Sequence, residues 1–150
     1  MTTDRKRVLF VCIGNSCRSQ MAEAFARHYG SDVLIAGSAG LAPAATVAPD
    51  TIRAMQEKNL DLRDHFPKTV EYLERAQFDL IVNMSGRPLR DDEGAPVVEW
   101  DVLDPVSLGY DEHCQVRDVI ERLVIQLVEQ IRRDMKRPRF RGQGSAHAKL

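Results

Sequence analysis

The sequence is short of several things, and each shortage removes a class of function. No apolar run approaches the roughly twenty residues needed to span a bilayer. Neither charge sign is in excess, with 21 Lys and Arg against 22 Asp and Glu. A net charge of −1 gives nucleic acid or a membrane surface no reason to be the main partner. Cysteine is scarce and odd in number, three in 150 residues, with Cys12 and Cys17 in one short loop. That excludes a secreted disulfide framework and points to a reducing compartment, so a cytoplasmic location is expected. The four histidines (His28, His65, His113, His147) show no metal-ligand spacing with the cysteines, so neither a metal nor another cofactor is expected. Basic residues Arg5, Lys6 and Arg7 precede an apolar run, but Gly14, Asn15 and Arg18 break that run and no small-residue cleavage site follows.

What remains is an ordinary globular composition, long enough to bury one core. Val8–Val11 is a continuous apolar run of the kind buried on both faces of a parallel sheet. A helix is expected from Arg18 or Ser19, carrying Met21, Phe25, His28 and Tyr29 and stopped by Gly30. Val33–Ala36 reads as a second strand, and Gly37–Val47, rich in Gly, Ala and Pro, as loop. Pro49 opens a helix expected to reach about Asn59, and Thr69 suits the cap of another over Val70, Leu73 and Ala76. Phe78–Met84 reads as a third strand, Ser85–Pro96 as a polar loop, and Val97–Trp100 as a weaker fourth strand. From about Asp111, the apolar positions Val116, Val119, Ile120, Leu123, Val124, Leu127, Val128 and Ile131 follow the period of a long amphipathic helix. Strands alternating with helices predict a three-layer α/β/α domain with a mostly parallel sheet. That catalytic domain is expected over 1–137, with 138–150 as a disordered tail and the whole chain as a monomer.

In such sheets ligands bind beyond the carboxyl ends of the strands, which is where Cys12 falls. The segment Cys12-Ile13-Gly14-Asn15-Ser16-Cys17-Arg18-Ser19 joins a strand to a helix. A loop wrapped onto a helix N-terminus aims backbone N–H groups inward and makes an anion cradle. Ile13, Gly14, Asn15, Ser16, Cys17 and Arg18 are therefore the candidate phosphate-binding residues. Gly14 permits close backbone approach, Asn15 tolerates a left-handed conformation, and Arg18 offers a planar fork of donors. An ordinary thiol near pKa 8.5 is only about 3% thiolate at neutral pH. Lowering it by roughly three units takes about 4 kcal/mol, within reach of a helix N-terminus, a guanidinium and a hydroxyl donor. Ser19 is the first candidate for that hydroxyl and Ser16 the second. The leaving oxygen needs a proton donor, and Asp104, before Pro105, is the first choice with Asp101 competing. The apolar Val102 and Leu103 are expected to shelter its carboxyl. Cys17 is a candidate partner for a reversible disulfide with Cys12, whereas Cys114 reads as a packing residue. His65 reads as a surface or packing residue, and the basic run after Arg132 as a solvated helix end.

Cys12, five residues, then Arg18-Ser19, after Val-Leu-Phe-Val, resembles the low-molecular-weight protein tyrosine phosphatase superfamily, which includes phosphatase-like arsenate reductases. The resemblance extends through Ser38-Ala39-Gly40, Pro49–His65, Phe78–Val82 and Asp104-Pro105. It implies a four-stranded parallel sheet flanked by helices, a covalent bond from Cys12 to the oxyanion, and Asp104 as acid and base. It also implies that Asn15 holds the loop and Ser19 stabilises the thiolate. The expected function is a cysteine-dependent phosphatase acting on a phosphomonoester, phosphotyrosine included. The alternatives are an arsenate reductase served by an external small thiol or redoxin, and a non-catalytic anion-binding protein. GNSCRSQMAE is closer to the reductases, but the two cysteines that thioredoxin-coupled members carry after the third strand are missing here. The aromatic residues that phosphatases place beside the pocket are missing too, with Tyr110 the one nearby substitute.

Overall fold

The computed structural model describes residues 4–71, 77–89 and 95–137. Among the described residues, four strands and three helices follow in chain order: β1 (Lys6–Cys12), α1 (Arg18–Gly30), β2 (Leu34–Gly40), α2 (Pro49–Gln56), β3 (Leu80–Asn83), β4 (Val97–Glu99) and α3 (Tyr110–Lys136). The sheet is wholly parallel with strand order β2-β1-β3-β4, as expected of this α/β class. β1 is central, which is why Val8, Leu9, Phe10 and Val11 are all without exposure and the run is apolar at every position. Val8, Phe10 and Cys12 join the large core with α1, α2 and α3, while Leu9 and Val11 face a smaller one with Ala39, Val70 and Ile81.

Two boundaries differ from expectation, each for a local reason. β2 continues through Gly37–Gly40, read from composition as loop, because small side chains let it stay in register with β1 up to the pair Cys12 and Gly40. α2 ends at Gln56 rather than near Asn59. Asn59 has φ +61°, the left-handed geometry that cannot continue a helix, and Leu60 N–H returns to the Met55 carbonyl. Thr69 bridges to Gly40 alongside β2. Residues 72–76, where the rest of the helix after Thr69 was expected, lie outside the described residues, as do 90–94 of the polar loop and the tail 138–150. Gly30 does end α1, but without a left-handed turn. A methyl there would lie 2.7 Å from Val128 Cγ2, so the glycine admits α3 against α1. Among the described residues no helix is long and apolar enough to cross a membrane.

Candidate active site

The loop from Cys12 to Arg18 leaves the carboxyl end of the central strand and enters α1. Its carbonyls are taken one by one. Those of Cys12, Ile13, Gly14 and Ser16 accept from the amides of Leu41, Ala42, Ala44 and Ala48, and that of Cys17 accepts from Met21. The Asn15 carbonyl accepts from Gln20 Nε2 at 3.2 Å. With every carbonyl turned outward, the amides of the loop face its concave side, the arrangement that cradles an anion. Asn15 takes φ +51°, the left-handed turn expected of it. Close backbone approach occurs elsewhere than expected. A methyl on Gly14 would meet nothing nearer than 3.5 Å, whereas one on Gly40 would meet Ile13 O at 2.7 Å and Asn15 N at 2.8 Å.

Cys12 is buried, and two donors converge on its sulfur: Ser19 Oγ at 2.9 Å and Ser19 N at 3.4 Å. The direction of the first bond follows from its neighbour. Asn15 Nδ2 donates to Ser19 Oγ at 2.7 Å, which leaves the Ser19 hydrogen for the sulfur. The Asn15 amide cannot flip, because its Oδ1 accepts from Gln20 Nε2 at 3.1 Å and from Lys68 N at 2.9 Å. Its second donor hydrogen goes to Ser38 Oγ at 3.0 Å, and Ser38 donates onward to the buried carboxylate of Glu23. Glu23 in turn pairs with Arg27. One ordered chain thus runs from the Cys12 sulfur through Ser19, Asn15 and Ser38 to Glu23. A buried network of this kind holds a single geometry only when every member is satisfied. Ser16, the second candidate for the hydroxyl, makes no such contact with the sulfur among the described residues.

Gln20, Glu23, Ser38, Gly40 and Lys68 were missed by sequence reasoning. The available signal was polarity on the wrong face: Gln20 and Glu23 are polar residues of α1 that nevertheless sit in its buried face. His65 joins behind them, donating from Nδ1 to Gln20 Oε1 at 3.0 Å, a packing and buttressing role. Burial pushes its imidazole below the ordinary range, helped by Arg27 and Lys68 against Glu23. Burial likewise lowers the Lys68 ammonium.

Arg18 is buried, with Nη1 donating to the Met84 and Val102 carbonyls, the latter at 3.0 Å. These lie just past β3 and β4, so the guanidinium is anchored across the carboxyl ends of the sheet. Its Nη2 lies 3.3 Å from Asp104 Oδ2. Of the two competing carboxylates, Asp104 therefore reaches the site, while Asp101 lines a neighbouring pocket. The apolar shelter expected around Asp104 is half built: Val102 is buried, but Leu103 is 60% exposed. Cys17 sits at the start of α1, and burial pushes its thiol up to about 12. The Thr51 hydroxyl, otherwise unpartnered among the described residues, opposes this, while nearby Cys12 adds to it. Cys114 is half-buried on α3, 3.7 Å from Arg117 Nη1, within a cluster that ties α3 to α2.

The mouth of the site has no aromatic slot among the described residues. Leu41–Ala48 contains none, and after Asp104-Pro105 come Val106 and Ser107. Tyr110 is engaged elsewhere, its hydroxyl on Glu57 and its ring under Arg53 at 3.8 Å. Beyond Arg18, between the ends of β3 and β4, opens a pocket of ≈ 410 Å³ whose walls include Met84, Arg87, Glu99, Trp100 and Asp101.

Comparison with known proteins agrees with this geometry. Residues 7–137 match the family described as low molecular weight phosphotyrosine protein phosphatase. Arsenate reductase 2 of Staphylococcus saprophyticus is 32% identical over 133 residues, covering 84% of this chain and 98% of that protein. The crystal structure of an arsenate reductase from Archaeoglobus fulgidus superposes with a TM-score of 0.73 at 34% identity, covering 81% of this chain and 98% of the other. A structure of the YwlE arginine phosphatase, with a phosphorylated serine in its active site, gives a TM-score of 0.70 at 27% identity, covering 85% and 97%. The chain belongs to the low-molecular-weight phosphotyrosine protein phosphatase family, alongside proteins named as arsenate reductases.

Proposed function

We propose that this chain reduces arsenate, with Cys12 as the nucleophile and an external thiol as the reductant. This reverses the order expected from sequence, where the phosphatase came first. The observation that carries it is the mouth: Tyr110 is held by Glu57 and Arg53, and neither Leu41–Ala48 nor Val106-Ser107 after Asp104-Pro105 brings an aromatic to flank a phenyl ring over the loop. A small tetrahedral oxyanion needs no such slot. The relatives named as arsenate reductases support the same choice.

In this reading the amides of residues 13–18 and the Arg18 fork hold the arsenate oxygens, with Ile13, Gly14, Asn15, Ser16 and Cys17 lending backbone. The Ser19 hydrogen and amide favour the anionic sulfur of Cys12. That sulfur attacks arsenic, and one arsenate oxygen leaves as water with a proton from Asp104, which touches Arg18 at the edge of the cradle. The product is a Cys12 thiol–arsenate adduct. Burial, which pushes the Cys17 thiol up, disfavours its thiolate and with it Cys17 as the second thiol.

The same cradle accepts phosphate, and the family match together with the arginine phosphatase neighbour keeps phosphomonoester hydrolysis as the second reading. Both are tested by incubating the protein with arsenate plus excess reduced thiol, and separately with para-nitrophenyl phosphate. The expected result is thiol-dependent arsenite release that Cys12→Ser abolishes. Ester turnover without arsenite returns the reading to a phosphatase. Phosphate binding with neither reaction leaves an anion-binding protein.

A further inference from the structure

Arsenate reduction takes two electrons, and forming one disulfide supplies them. Cys12 provides one of the two sulfurs. Cys17 is buried at the start of α1, where burial pushes its thiol up, and Cys114 stands by Arg117 where α3 meets α2. In the reductase reading above, the second sulfur arrives from outside the chain. It must also arrive beside Arg18, which holds the oxyanion next to Cys12.

The pocket beyond Arg18 is built for a visitor. The turn that carries Arg87 is fixed by Asn83, which has no exposure: Oδ1 accepts from Ser85 N at 3.0 Å and Ser85 Oγ at 2.7 Å, and Nδ2 donates to the Arg87 carbonyl at 2.7 Å. The same Nδ2 holds the Glu99 carboxylate at 3.0 and 3.2 Å. Trp100 is braced against Phe10, their ring centroids 5.9 Å apart. The walls bring together a guanidinium (Arg87), two carboxylates (Glu99, Asp101) and an aromatic face (Trp100), with Met84 and Arg18 toward the reaction centre. The volume of ≈ 410 Å³ falls within the range of small-molecule sites. A wall carrying both charge signs suits a guest carrying both.

We propose that this pocket seats the reducing thiol, a small peptide-like thiol bearing both a carboxylate, for Arg87, and an ammonium, for Glu99 and Asp101. The inference rests on the reductase reading above. The seated thiolate attacks the Cys12 sulfur of the thiol–arsenate adduct. The sulfur–arsenic bond breaks, its electron pair stays on arsenic, and arsenite leaves, with Cys12 now in a mixed disulfide with the thiol. A second thiolate attacks the guest's sulfur, releasing the external disulfide and restoring Cys12. The balance is two thiols and one arsenate in, with one disulfide, one arsenite and one water out.

Trp100 is the only tryptophan of the chain, so its fluorescence reports the pocket directly. The probe is S-methylglutathione, which carries both charges and cannot react. A saturable fluorescence change is expected, with the dissociation constant raised at least tenfold by Arg87→Ala and by Glu99→Gln. In turnover, arsenite release should saturate with glutathione and stay linear in 2-mercaptoethanol. The ratio of the two rates at equal low concentration should fall about tenfold in each variant. No response at Trp100, or a ratio that neither variant moves, overturns the seat. Failure to release arsenite with any thiol, while the Trp100 titration saturates and responds to both variants, overturns the reductase reading and leaves the pocket as a ligand site.

Discussion

Replacing Gly40 by alanine tests whether the anion cradle is shaped from behind by β2. The added methyl would lie 2.7 Å from Ile13 O, 2.8 Å from Asn15 N and 2.9 Å from Gly14 C. Comfortable carbon contacts begin near 3.5 Å, so something must move by about 0.7 Å. All three neighbours are backbone, so no side chain can rotate away. Gly40 itself cannot retreat easily, because its amide is held by the Lys68 carbonyl at 2.8 Å and its strand is in register with Cys12. The displacement must therefore appear in residues 13–15, where the loop amides point at the oxyanion. Overpacking of this kind costs about 1–3 kcal/mol, equivalent to roughly five- to 150-fold in affinity if the loop bears it all. Urea denaturation measures the stability share, and the inhibition constant of phosphate measures the cradle share. Gly40→Ala should weaken phosphate at least fivefold. Gly14→Ala, whose methyl meets only ordinary contacts, should stay within about 1 kcal/mol of the parent in stability. A Gly40→Ala protein with parental phosphate affinity and parental stability would refute the account of the loop.

Asn15→Asp keeps the shape but replaces two donor hydrogens by an acceptor, so Ser19 should turn its hydrogen toward the new carboxylate and away from Cys12. Losing a hydrogen bond to a charged sulfur is worth about 1.5–3 kcal/mol, so iodoacetamide should alkylate Cys12 at pH 7 at least tenfold more slowly, followed by mass spectrometry. An unchanged rate would mean that Asn15 does not orient Ser19. For Cys17 the prediction concerns stability against pH. Burial pushes its folded thiol up to about 12, far above an ordinary thiol, so above pH 9 the unfolded chain sheds a proton that the folded one keeps. Stability is full below pH 9 and then falls by up to about 1.4 kcal/mol per unit as pH rises toward 12. Cys17→Ser should remove that component, and identical pH slopes for both proteins between 9 and 10.5 would contradict the burial argument.

Positions whose neighbours lie close in the chain were legible in the sequence. Cys12, Asn15, Arg18 and Ser19 belong to one strand–loop–helix unit, and local rules about left-handed turns, helix N-termini and donor types place them correctly. The same holds for the fold class, since apolar runs alternating with helical periods leave few topologies open. What failed involved partners far along the chain. The loop reading of Gly37–Gly40 rested on composition, but those small residues extend β2 because they must slide against the Cys12 loop. Gly30 looked like a turn residue and is instead a gap for Val128, ninety-eight positions later. Ser38 fell in the stretch read as loop, and its pairing with Glu23 exists only because α1 lies over β2.

That pattern has a consequence for how the site works. The donors at the Cys12 sulfur are supplied locally by Ser19, but the direction in which Ser19 donates is decided by Asn15. Asn15 is in turn oriented by Gln20 and by the Lys68 amide, and its second hydrogen is drawn by the Ser38–Glu23 pair. The nucleophile is thus prepared by a chain of bonds in which each hydroxyl has one place for its hydrogen. Such a chain is ordered during folding, before any oxyanion arrives, so the donors need no rearrangement when charge develops on sulfur or on the bound guest. Cutting the chain at Glu23, two residues removed from the sulfur's own contacts, should therefore loosen Ser19 without touching the anion cradle, which separates the preparation of the nucleophile from the binding of its target.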